Sequence, residues 1–150
     1  MHQTSGCVTL NVEGFSYRFR ILDEPNLADK LISEYGISES VAQHLARTYG
    51  GQAWDVCKAS GKSQAQFSLL AQDYPYVEEE VIYACREYAC TVEDILSRRT
   101  RLAFLNEDAA IGAIPRVADL MATELGWTND VKSKQIEAAT KYIQSYAVAS

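Results

Sequence analysis

The chain has 150 residues, which suits one domain, and a chain of that size buries roughly 70% of the surface its unfolded form exposes. Apolar residues make up 47% and charged ones 23%, an ordinary globular balance that excludes a disordered or fibrous protein. The net charge of −6 and a pI near 4.9 oppose binding to phosphate backbones, so nucleic acid is not an expected partner. The N-terminus, "MHQTSGCVTLNVEG", has no basic segment followed by an apolar one, and no run of eighteen apolar residues occurs, so neither secretion nor membrane spanning is expected. Cys7, Cys57, Cys85 and Cys90 are scattered, without metal-site spacing, and read as reduced thiols.

Residues 7 to 22, "CVTLNVEGFSYRFRIL", alternate apolar and polar positions around Glu13-Gly14, the pattern of a β-hairpin. A lone hairpin is marginal in water, so it must rest on helices or on a sheet outside this chain. Helical periodicity begins after Pro25. Leu27, Leu31 and Ile32 form one stripe that Tyr35-Gly36 stops, Gly36 being suited to a left-handed cap. Ser38 is placed to cap the next helix, with Val41, Ala42 and Leu45 inward and an end at Tyr49-Gly50-Gly51. Ala53, Trp54, Val56 and Cys57 give a third short helix, and "ASGKSQAQF" reads as an exposed loop.

Pro75 suits the first turn of a fourth helix. Its stripe is Val77, Val81, Ala84, Cys85 and Tyr88, with Glu78, Glu79 and Glu80 solvated at the positive end of the helix dipole. Consecutive helical positions lie 100° apart, so these three carboxylates do not converge on a metal. Thr91 should cap a further helix, with Asp94 reaching back in a capping box and pairing with Arg98 four residues on. Asn106 caps the next helix, which Pro115 is expected to kink or restart before Gly126 ends it. The last helix starts at Thr128 or Asn129 and turns Ile136, Ala139, Ile143 and Tyr146 to the core.

No nucleotide-binding glycine pattern and no calcium loop is present, and His2 and His44 are the only histidines, His44 reading as a surface or packing residue. No catalytic, cofactor-binding or metal residue is assigned. Arg98, Arg99 and Arg101 are the one notable constellation, with Arg98 and Arg101 sharing a helix face and Asp94 as a partner. Three uses stay open for them: bracing within the domain, contact with another domain, or binding an anion. One reading of the chain is thus a free-standing helical interaction module that recognises an acidic or phosphate-bearing partner.

The run "YPYVEEEVIYACREYACTVEDILSRRTRLAFLNEDAAIGAIPRVADLMATELGW", residues 74 to 127, resembles the C-terminal helical domain of FAD-dependent glycerol-3-phosphate dehydrogenase, especially its mitochondrial form. "ISESVAQHLARTYGGQAWDVC", residues 37 to 57, is similar to the stretch that precedes it there. The most specific part is "EYACTVEDILSRRTRLAFLN". The resemblance implies a parent flavoenzyme that oxidises sn-glycerol 3-phosphate to dihydroxyacetone phosphate and passes electrons to membrane quinone. It implies that FAD belongs to the parent's N-terminal part, that this chain binds none and is inactive alone, and that its partner is the flavin-binding domain. Self-association, and location at the mitochondrial inner membrane through the parent, are implied as well. The expected fold is all-α, with six to seven short helices and a β-hairpin as an added N-terminal element. Residues 1–22 would be an extended segment or interdomain linker, and 23–150 the helical domain.

Overall fold

In the computed structural model the described residues are 25–61 and 67–147, with the backbone alone for two short stretches, Val8–Val12 and Phe15–Phe19. The side chains of residues 7–22 and their Glu13-Gly14 turn lie outside the described residues, so the expected hairpin is not part of the supported fold, which is all-helical. Among the described residues there are seven α-helices: α1 (Leu27–Tyr35), α2 (Glu39–Tyr49), α3 (Ala53–Lys58), α4 (Glu78–Arg86), α5 (Leu102–Leu105), α6 (Glu107–Leu125) and α7 (Asn129–Ala147).

Local chemistry sets most of the ends. Gly36 closes α1 at φ 65 and Gly126 closes α6 at φ 68, the left-handed geometry that glycine adopts without a Cβ clash. Ser38 accepts the Val41 N–H at 3.4 Å to cap α2, and Asn106 Oδ1 accepts the Ala109 N–H at 3.0 Å to cap α6. Two starts differ from the sequence reading. Pro75 lies in the approach to α4, whose first residue is Glu78, because Leu69 and Val77 form an antiparallel bridge that keeps the chain extended up to that point. Pro115 does not restart α6. The helix runs unbroken through it, with Ala110, Ala113, Ile114, Val117 and Ala118 buried on both sides holding the turns that one missing N–H would loosen.

The buried side chains form two clusters. One joins α1, α2 and α3 through Leu27, Leu31, Val41, Leu45, Ala53 and Val56, and includes Val77. The other joins α4 to α7 through Val81, Ile95, Leu96, Leu102, Ile114, Met121, Ala139 and Ile143. Helix α4 is the seam. Val77 and Tyr83 meet the first cluster, while Val81, Ala84 and Cys85 meet the second. Tyr88 leaves the expected stripe altogether: α4 has ended, the residue sits at φ 67, and 83% of it is exposed.

Candidate functional site

The polar side chains with the most developed geometry stand at the start of α4. Glu78, Glu79 and Glu80 are buried there, at 5%, 0% and 3% exposure, and not solvated as their sequence suggested. The reason is the position of α4: a helix packed on opposite faces has no water-facing side in its first turn. Burial of a carboxylate is tolerable only with charge-assisted partners. Glu78 receives both arms of the Arg116 guanidinium from α6, Nε at 2.6 Å and Nη2 at 2.9 Å. That two-pronged contact keeps the Arg116 pKa raised through its hydrogen bond to Glu78.

Glu80 faces the other way, toward α2. Its Oε2 accepts the Val77 N–H at 2.8 Å, completing the helix start, while Oε1 lies 2.8 Å from His44 Nε2 and accepts the Tyr49 hydroxyl at 3.1 Å. An ionised carboxylate can only accept, so the His44 Nε2 carries the proton; Thr48 Oγ1 is 3.3 Å from Nδ1. The edge of the His44 ring meets the Tyr76 ring at 5.0 Å. Burial first, and then the Glu80 charge, push the Tyr49 hydroxyl far above its ordinary range, so it stays a donor. Histidine, glutamate and tyrosine in contact could move protons in an exposed cleft. Here the contacts fill Glu80's oxygens deep in the fold, and the arrangement ties α2 to α4.

The cysteines follow the same logic. Burial, and next the charge of Glu79, push the Cys57 thiol up to about 12, and burial with Glu124 pushes Cys85 up to about 11. Both stay protonated and poor as nucleophiles. Among the described residues no group of three or more metal-ligating side chains gathers.

The arginine junction sits at the far end of α4. Thr91 and Asp94 form the expected reciprocal cap: the Asp94 N–H meets Thr91 Oγ1 at 3.1 Å, and Asp94 Oδ2 accepts the N–H groups of Thr91 at 3.1 Å and Cys90 at 3.2 Å. Burial opposes ionisation of Asp94, but these bonds and Arg98 outweigh it and hold the carboxyl below its usual range. Arg98 Nη1 reaches Asp94 Oδ1 at 2.6 Å, the pair expected from their spacing. The helix they sit on is wider than expected. Asp94–Arg99 is π-helical, closed by the Thr100 N–H on the Ile95 carbonyl, five residues back.

Arg99 donates to the Glu87 carbonyl at 2.7 Å and so caps the C-terminal end of α4, where a cation is favoured. Arg101 corrects the sequence reading: it does not share a helix face with Arg98. It sits at φ 59 between the π-helical segment and α5, exposed, because the chain must turn there to send Leu102 and Ala103 into the core. The structure therefore brings Asp94 and Arg98 together and sends Arg99 and Arg101 elsewhere. Sequence reasoning missed Glu78 with Arg116 and Glu80 with His44 and Tyr49. Three glutamates in one helical turn, too many for a single face, were the available signal.

One open cleft lies between the α1–α2 turn and the 67–69 strand, about 220 Å³ and lined by Gly36, Ile37, Ser38, Val41, Phe67, Leu69 and Val77. That is below the ~300–1,000 Å³ of ordinary ligand pockets. Its lining is apolar apart from Ser38 and brings no cation to a pyrophosphate, so it does not fit FAD.

The family model for the C-terminal domain of alpha-glycerophosphate oxidase matches residues 8–132. Human mitochondrial glycerol-3-phosphate dehydrogenase is 45% identical over 123 residues, covering 79% of this chain and 17% of that protein. The rat protein of the same name is 44% identical over the same shares. A probable mitochondrial glycerol-3-phosphate dehydrogenase of Dictyostelium discoideum is 37% identical over 143 residues, 93% of this chain and 22% of that protein. This chain thus spans about a fifth or less of the curated relatives it matches. No solved structure matches it. By the extent of the family match and the identity to these dehydrogenases, the chain belongs to the family of the C-terminal domain of alpha-glycerophosphate oxidase.

Proposed function

We propose that this chain acts as the C-terminal helical domain of a mitochondrial FAD-dependent glycerol-3-phosphate dehydrogenase. The whole enzyme would oxidise sn-glycerol 3-phosphate to dihydroxyacetone phosphate and deliver electrons to quinone at the inner membrane. The part played by this chain is architectural, as a body that rests on the flavin-binding domain and does no chemistry alone. The observation that carries the reading is the use of the polar groups around α4: buried Glu78 is engaged by Arg116, and buried Glu80 by the half-buried His44 and Tyr49, contacts that tie helices together. Arg98 and Arg101, both exposed, are the residues we assign to the contact with the flavin-binding domain, and Arg99 and Asp94 to bracing.

The test is co-purification of this chain with a separately expressed flavin-binding domain, together with absorbance and dye-reduction assays on the chain alone. Co-purification is expected, with no flavin absorbance and no turnover with glycerol 3-phosphate in the isolated chain. Flavin absorbance and turnover in residues 1–150 by themselves would overturn it. The second reading, a free-standing interaction module, is favoured by the absence of an ion pair at Arg101 among the described residues. It predicts that Arg101→Ala leaves melting unchanged and abolishes binding to an acidic partner other than the flavoprotein.

A further inference from the structure

Helix α5 is four residues long and divides its side chains in two. Leu102 and Ala103 enter the core, while Phe104 and Leu105 stay 53% and 59% exposed, large values for apolar residues on a packed body. Arg101, just before the helix, is exposed as well, and its carbonyl accepts the Phe104 N–H at 3.0 Å, so the arginine and the two apolar side chains share one short turn of chain. The end of α7 widens this face. The Tyr146 ring meets the Phe104 ring at 5.1 Å, and the Tyr146 hydroxyl, bonded to that of Tyr142, lies within the field of Arg98. Arg98 gives one arm to Asp94 and keeps 71% of its side chain in water. Single apolar residues on a surface are ordinary, but contiguous ones mark a contact. A phenylalanine, a leucine and a tyrosine bordered by two arginines have the make-up of the anchoring centre of a protein interface.

We propose that this face docks on the flavin-binding domain, with Phe104 seated in an apolar pocket of that domain and Arg98 and Arg101 answered by carboxylates at the pocket's rim. The inference rests on the function proposed above and adds to it the anchor and the chemistry of the partner. Two observations select this occupant. The first is the amount of chain elsewhere: the human and rat relatives hold this region within 17% of their length, so a body of this kind must meet the large remainder over some face. Of the seven large apolar side chains that stand exposed among the described residues, three gather here, at Phe104, Leu105 and Tyr146. The second is charge. The chain carries −6, yet this face presents two arginines, and Arg101 has no ion pair among the described residues. A second copy set two-fold against it would crowd four guanidinium groups around one axis, and an anionic membrane would meet the acidic average of the chain. An apolar pocket rimmed by carboxylates meets neither cost.

The test is calorimetric titration of the intact 150-residue chain against the separately expressed flavin-binding domain. Phe104→Ser should weaken binding roughly 30-fold and leave melting unchanged, as befits a half-exposed side chain. Arg101→Glu should weaken it about 10-fold and flatten its dependence on salt. Leu125→Ser, at the other end of the nineteen-residue α6 and about 28 Å away along it, should bind as the unmodified chain does. Binding that Phe104→Ser and Arg101→Glu both leave intact overturns the inference alone, whereas no binding by the unmodified chain overturns the proposed function with it. Arg101→Glu exchanges one exposed charged side chain for another, so it decides the matter even if Phe104→Ser does not fold. Sedimentation reads the other occupants. A dimer of the chain that Phe104→Ser dissolves would give the face to a second copy, and co-sedimentation with phosphatidylcholine–phosphatidylglycerol vesicles that the same variant abolishes would give it to lipid; either result overturns the proposal.

Discussion

The two halves of the helical body are built on different principles. Around α1, α2 and α3 the helices are short, each is closed by a glycine or an immediate turn, and the core is small. From α4 to α7 two helices of nineteen residues each, α6 and α7, carry a larger core, and one of them runs through a proline. The larger half can absorb a local defect because many apolar contacts flank it. The smaller half depends on α4, which it reaches through Val77 and through the bonds from His44 and Tyr49 to Glu80. The difference teaches where stability is concentrated and where it is borrowed.

Each half contains one of the chain's two tryptophans, Trp54 against the first cluster and Trp127 against the second, so fluorescence of single-tryptophan variants reads the halves separately. The largest effects should come from core truncation. Leu45→Ala and Met121→Ala should each lose about 2–5 kcal/mol in urea unfolding. With the halves coupled, both tryptophans report one shared midpoint in either variant. Next comes the seam itself. Glu80→Ala deprives His44, Tyr49 and the Val77 N–H of their acceptor and should lose roughly 2–4 kcal/mol. It should also separate the two midpoints, Trp54 reporting first; coincident midpoints in that variant would show that packing alone couples the halves.

Arg116→Ala removes the fork on Glu78. Half of that arginine side chain is in water, so the expected loss is about 1 kcal/mol, and Arg116→Lys should not recover it because an ammonium cannot offer two parallel donors. Of similar size is Asp94→Ala, about 1 kcal/mol for a lost cap. Its pH dependence has a fixed sign. The folded carboxyl lies below its unfolded value of roughly 3.9, so its contribution is complete at neutral pH and is lost as the pH falls through the folded value. Thermal melts of wild type and Asp94→Ala should converge at low pH; a gap that persisted there would refute the assigned cause.

How legible all this was in the sequence depends on range. Gly36, Ser38, Asn106, Gly126 and the Thr91–Asp94 pair were readable because a cap is decided by residues within four positions of one another. Helices α1, α2, α3, α4, α6 and α7 were readable for the same reason, since period 3.6 is local, whereas the four-residue α5 was not. Glu80 with His44 is separated by 36 positions and Glu78 with Arg116 by 38, and nothing local announces such partners. The glutamates looked solvated because a charged run at a helix start is normally so. Arg101 was misplaced because a left-handed residue that is neither glycine nor asparagine gives no compositional warning.

Glu78 and Glu80 are two positions apart, about 200° around the axis of α4, and they bond to helices on opposite sides. Apolar contacts resist a helix moving outward but resist its spinning only weakly, since one methyl group can stand in for another. Two carboxylates pinned to α6 on one side and α2 on the other work like keys in keyways. They set the angle of α4 about its own axis, and with it the direction in which its far end presents the arginine junction.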